Sequence, residues 1–72
     1  MAKPTRVTNR IAELRAAAGG VSQGQVADAV GVTRQTMNAI ERGKYSPSLE
    51  VAFLIARFFD VPLDEVFGFD EG

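Results

Sequence analysis

Seventy-two residues with a formal net charge of −1 and neither cysteine nor histidine make one small domain whose core is marginal without a supplement. The missing Cys and His exclude disulfides, thiolate nucleophiles, Cys/His zinc sites and imidazole bases, so oligomerisation is the expected supplement and neither a cofactor nor a metal is expected. With no 18-residue apolar run and no basic-then-apolar leader, the chain is expected to be soluble, intracellular and cytoplasmic.

The first helix is expected to begin near Thr8 or Asn9 and to run to about Ala18, burying Ile11, Leu14 and Ala18 at i, i+3 and i+7. Gly19-Gly20 ends it. Ser22 and Gln25 form a Ser-x-x-Gln capping box that opens the second helix. Val26, Ala27 and Val30 are its apolar stripe, Gly31 stops it, and Val32 packs inward from the turn. Thr33 caps the third helix, which buries Met37 and Ile40 and leaves Arg34, Gln35, Thr36 and Asn38 facing outward. Gly43 ends that helix with a positive φ. Ser46-Pro47 reads as cap and first helical position of the fourth helix, with Ser48 the competing cap. That helix reaches about Phe59, and Pro62 opens a short fifth helix through Leu63, Asp64, Glu65 and Val66.

The fourth helix is unusual. At ~100° per residue, Glu50 and Arg57 share one narrow arc, while Leu49, Val51, Ala52, Phe53, Leu54, Ile55, Ala56, Phe58 and Phe59 make nearly every other direction apolar. A domain this small cannot surround such a helix, so the excess face predicts a subunit interface, with Leu54, Phe58, Val61 and Phe69 as its candidate residues. The alternative is a well-buried helix with one or two exposed apolar residues. Near the termini, Arg6-Val7-Thr8 and Phe67-Gly68-Phe69 are β-capable runs that can pair as a two-strand sheet.

Two short helices around a glycine turn are the device that sets one helix into the DNA major groove. The charge supports it once its distribution is considered. Residues 1–44 hold seven cations, Lys3 among them, against three anions, and residues 45–72 hold one cation against six anions, a +4 half and a −5 half. One can face phosphate and the other solvent or a partner. On the third helix, Arg34 suits a bidentate contact to guanine O6/N7 and Gln35 matches adenine N6/N7, with Thr36 and Asn38 close enough for a thymine methyl, another base edge or phosphate. Gln23 and Thr33 stand at helix starts, where free N–H groups suit phosphate. The loop Arg42-Gly43-Lys44-Tyr45 adds two cations and a phenol. Arg15 and Glu41 flank apolar positions and can meet as a partly buried salt bridge between the first helix and the end of the third.

These residues carry a resemblance. Residues 22–41 resemble the helix-turn-helix of lambdoid phage repressors, Cro proteins and XRE-type bacterial regulators, with Ala27 at the small-residue site, Gly31 at the turn, and Met37 and Ile40 at the buried sites of the second helix of the motif. The run RQTMNAIERGKYSPSLEVAFLIARFFDVPLDEVF resembles the compact stand-alone members, cytolysin-repressor-like proteins included. The resemblance covers about residues 9–67, and its IERGKYSPSLE segment is highly specific. It implies an all-α, five-helix lambda-repressor-like fold and a homodimer on a palindromic operator in double-stranded DNA. By position, Arg34, Gln35 and Asn38 inherit base reading, Ser22, Gln23, Thr33, Arg42 and Lys44 inherit phosphate contacts, and Arg15 and Glu41 match the family's buried ion pair. The cytolysin-repressor type also joins its termini in a small sheet. Three departures stand out. Gly19-Gly20 lengthens the first connection by one residue, Gly24 puts a poor helix former in the second helix, and Leu54 replaces a more usual lysine.

The leading reading is a sequence-specific DNA-binding transcriptional regulator occupying residues 1–72 as one domain. A repressor is favoured over an activator, because little surface remains for anything else. The alternative is an antitoxin or other protein-interaction module, whose apolar fourth helix and acidic C-terminal half would bind a protein partner. An enzyme is disfavoured: its best carboxylate pair, Asp64-Glu65, sits at a helix start, where acids ordinarily complement the dipole.

Overall fold

The computed structural model describes residues 5–71, so Lys3 lies outside the described residues. The element order is β1 (Val7–Asn9), α1 (Ile11–Ala17), α2 (Gln23–Val30), α3 (Arg34–Glu41), α4 (Leu49–Phe59), α5 (Leu63–Val66) and β2 (Phe67–Phe69). This is the five-helix architecture expected, with a small sheet near its ends.

Local capping sets most boundaries. The Ser22–Gln25 capping box is complete: Ser22 Oγ accepts from the Gln25 N–H at 3.1 Å, and Gln25 Oε1 accepts from the Ser22 N–H at 2.9 Å. Gly31 closes α2 in the left-handed region at φ 82°, which only a residue without Cβ adopts freely. Thr33 Oγ1 accepts from the Thr36 N–H at 3.0 Å and starts α3. Gly43 at φ 70° turns the chain out of α3, and the Lys44 N–H returns to the Ala39 carbonyl at 3.0 Å.

Three boundaries differ from the sequence expectation. First, α1 begins at Ile11 and not at Thr8 or Asn9, because residues 7–9 are drawn into an antiparallel sheet with the register Val7↔Phe69, Thr8↔Gly68 and Asn9↔Phe67. The sheet itself was expected, one residue earlier on its first strand. Second, Ala18 is exposed, since α1 ends at Ala17 and Val21 packs against the core from beyond the glycine turn. Third, α4 is capped by Ser48, whose Oγ accepts from the Val51 N–H at 3.2 Å, and not by Ser46. Pro47 does not start the helix; it lines an apolar hollow with Val7, Leu49, Ala52, Leu63 and Phe67.

The core joins one stripe from each helix: Ile11, Val26, Ala27, Val30, Met37, Ile40, Ile55, Ala56 and Val66 are buried, with Leu14, Val21, Val32, Val51 and Phe59 packed around them. α2 packs against both α3 and α4, so α3 has its inner face held by α2 and its outer face free. None of the helices among the described residues is long and apolar enough to cross a membrane.

Candidate nucleic-acid interface

The first two residues of α3 are exposed. Arg34 and Gln35 project beyond the core, while Met37 and Ile40 on the opposite side are buried to 0% and 2% exposure. That alternation is what a helix with one anchored stripe must produce. Gln23, Arg34, Gln35 and Asn38 together line one open polar hollow across the start of α2 and α3. A second hollow beside it is lined by Arg15, Ser22, Gln23, Gly24 and Arg34.

Two residues expected to face outward are partly held inside the protein. Thr36 is half-buried, and its Oγ1 accepts from the Thr33 hydroxyl at 3.0 Å. Asn38 is half-buried, and its Oδ1 accepts from Gln23 Nε2 at 3.1 Å. The two have different causes: Asn38 is held by Gln23 of α2, a neighbour that a lone helix would not supply, whereas Thr36 is held by Thr33, the capping residue of its own helix. The Gln23–Asn38 bond also brings together a residue expected at phosphate and one expected at a base.

The remaining polar residues bracket α3. Ser22 and Thr33 are exposed, each with its hydroxyl oxygen accepting a backbone N–H. Arg42 and Lys44 are exposed just past the other end of the helix. Arg34, Arg42 and Lys44 make no ion pair among the described residues, which leaves their charges available to an anion.

Behind the interface, α3 is tied to the start of the chain. Arg15 Nε and Nη2 donate to Glu41 Oε2 and Oε1 at 2.8 and 3.0 Å, and Nη1 donates to the Val21 carbonyl at 3.0 Å. The Glu41 side chain is only 7% exposed. The hydrogen bonding to Glu41 raises the Arg15 pKa above its ordinary value against an opposing desolvation. The Gly19-Gly20 turn closes back on this residue: the Gly20 and Val21 N–H groups both bond the Arg15 carbonyl, at 3.0 and 3.1 Å.

Sequence reasoning missed a second tie. Asn9 Nδ2 donates to the Ile40 carbonyl at 2.9 Å and to the Glu41 carbonyl at 3.4 Å, while its Oδ1 accepts from the Ile11 N–H at 3.0 Å. An Asn before an apolar run signalled the helix start; its reach to α3, 31 and 32 residues away, did not show.

The candidate subunit residues divide. Leu54 and Phe58 are exposed at 38% and 37%, and Phe69 is 60% exposed with Arg6 5.4 Å from its ring centroid. Val61 is half-buried and packs against the core. Leu49 at 68% and Phe53 at 49% were not singled out, yet both are more exposed than Leu54 and Phe58.

The helix-turn-helix family profile matches residues 11–66. YgzD of Bacillus subtilis, an uncharacterized HTH-type transcriptional regulator, is 46% identical over 63 residues, covering 88% of this chain and 94% of its own. The cryptic phage CTXphi transcriptional repressor RstR of Vibrio cholerae is 39% identical over 46 residues, covering 64% of this chain and 41% of its own. Among solved structures, the restriction-modification controller protein C.AhdI of Aeromonas hydrophila superposes with a TM-score of 0.67 at 33% identity, covering 76% of this chain and 82% of its own.

Proposed function

Because the chain belongs to the helix-turn-helix family, as an XRE or Cro–C1-type DNA-binding transcriptional regulator, we propose that it is a repressor that binds a palindromic operator as a homodimer, with α3 in the major groove. The observation that carries this reading is the pair Arg34 and Gln35, exposed on the first turn of a helix whose other side is locked into the core. Residues at that place on a groove-bound helix reach base edges, and these two have the donor and acceptor patterns that suit guanine and adenine. Asn38, steadied by Gln23, and Thr36 extend the reading face.

Ser22, Gln23, Thr33, Arg42 and Lys44 serve phosphates on either side of the groove. Such contacts fix register and orientation without selecting sequence. The domain formed by residues 1–72 works by occupying its site in the cytoplasm, and it catalyses no reaction. Repression is supported by the similarity to RstR and by the small surface left once DNA and a second subunit are bound.

Selection of bound sequences from random duplex DNA tests this. An inverted repeat is expected, with half-site centres about 34–36 Å apart, one turn of duplex, or a multiple of it. Recovery of a single unrepeated site, or of no enriched sequence, contradicts the reading.

A further inference from the structure

The outward face of α4 carries four exposed apolar side chains, Leu49, Phe53, Leu54 and Phe58, with the exposed Glu50 and Arg57 on the line between them. At ~100° per residue, Glu50 and Arg57 fall within about 20° of each other, Leu49 and Phe53 lie to one side, and Leu54 and Phe58 to the other. Neither Glu50 nor Arg57 makes an ion pair among the described residues. Seven residues apart, they are separated by about 10 Å along the helix, too far to pair with each other.

We infer that this face binds a second copy of α4, antiparallel, about a two-fold axis level with Phe53 and Leu54. In that register Glu50 meets Arg57 of the partner subunit, and Arg57 meets the partner's Glu50. Phe53 and Leu54 each pack against their own counterparts on either side of the axis, with Leu49 and Phe58 as the outer flanks. The face is therefore its own complement, as a two-fold interface requires. Parallel packing about the same face would set Glu50 against Glu50 and Arg57 against Arg57, a repulsive arrangement. The charges thus select both the occupant and its direction. The same pairing accounts for Leu54, which continues the apolar flank begun by Phe58.

This inference rests on the homodimer reading and specifies its register. Sedimentation of the wild type, of E50R, of R57E and of an equimolar mixture of the two variants tests it, with circular dichroism reporting that each chain is folded. The wild type is expected to dimerise. Each variant alone creates two like-charge contacts and is expected to dimerise about a hundredfold more weakly. In the mixture every altered position faces an opposite charge on the other chain, so a heterodimer of near wild-type affinity is expected. Variants that dimerise as tightly as the wild type overturn the register while leaving the homodimer standing. Folded variants that stay monomeric when mixed overturn the Glu50–Arg57 pairing. A wild type that is monomeric, or that associates only with a different protein, overturns the register and the homodimer together.

Discussion

In the proposed complex, Arg34 and Lys44 act at opposite ends of α3, and their loss should be distinguishable. Arg34→Ala removes a bidentate base contact, so we expect about 1–3 kcal/mol weaker operator binding and relaxed preference at one base pair of each half-site. Lys44→Ala removes a phosphate contact, so binding should weaken about equally on all sequences and the slope of log K against log salt should flatten by about one. Fluorescence titrations at three salt concentrations separate the two. Behind the face, Arg15→Ala strands a carboxylate whose side chain is 7% exposed and should cost about 3 kcal/mol in urea unfolding. Replacing the pair together, Arg15→Met with Glu41→Leu, should recover most of that loss, because no buried charge is left unpaired. Because the Arg15 pKa is raised in the fold, the cation's contribution is fully present below arginine's ordinary pKa and lost only in more alkaline solution, so the tie persists across neutral pH. Asn9→Ala deprives the Ile11 N–H and the end of α3 of their shared partner and should cost about 1–2 kcal/mol.

Elements whose signals are local were legible from the residues. Ser22 and Gln25 cap each other within one turn, and Gly31 and Gly43 stop their helices by a backbone conformation that a sequence advertises directly. Where partners lie far along the chain, local residues carry no signal of them. Asn9 looked like a cap, and its bonds to α3 depend on a packing no local pattern encodes. Ser46-Pro47 imitates a helix start, but Pro47 is taken up by the hollow beside Phe67. The excess apolar surface of α4 was legible from its composition, whereas Leu49 and Phe53 became conspicuous only once the core had claimed Val51, Ala52, Ile55 and Ala56. The glycines give a test at this scale. A Cβ at Gly24 would stand 3.8 Å from Ser22 Oγ and 4.0 Å from Arg34 Cδ, ordinary contact distances, so Gly24→Ala should raise stability by up to about 1 kcal/mol. Gly31→Ala meets open space but must hold φ 82°, and it should lose about 1–2 kcal/mol. Thermal melting of both variants checks the opposite signs.

For the whole molecule, a net charge of −1 conceals a division of labour. The half that contains α2, α3 and the Arg42–Lys44 turn is cationic, and the half that contains α4, α5 and β2 is acidic. With its charge so divided along the chain, a protein can offer cations around α3 to phosphate, and the overall sum says little about its partner. The fold supplies the rigidity this needs: α3 is anchored by Met37 and Ile40 in the core and by Arg15 and Asn9 at its end. In the proposed complex two copies of one helix start, led by Arg34, read DNA symmetrically. The most direct measurement is selection from random duplex DNA with the wild type and with Arg34→Ala in parallel, compared position by position. An inverted repeat is expected for the wild type and, for the variant, relaxed preference at one pair of positions related by the repeat's symmetry. An unchanged motif in the variant, or a loss on one side of the repeat only, would contradict it.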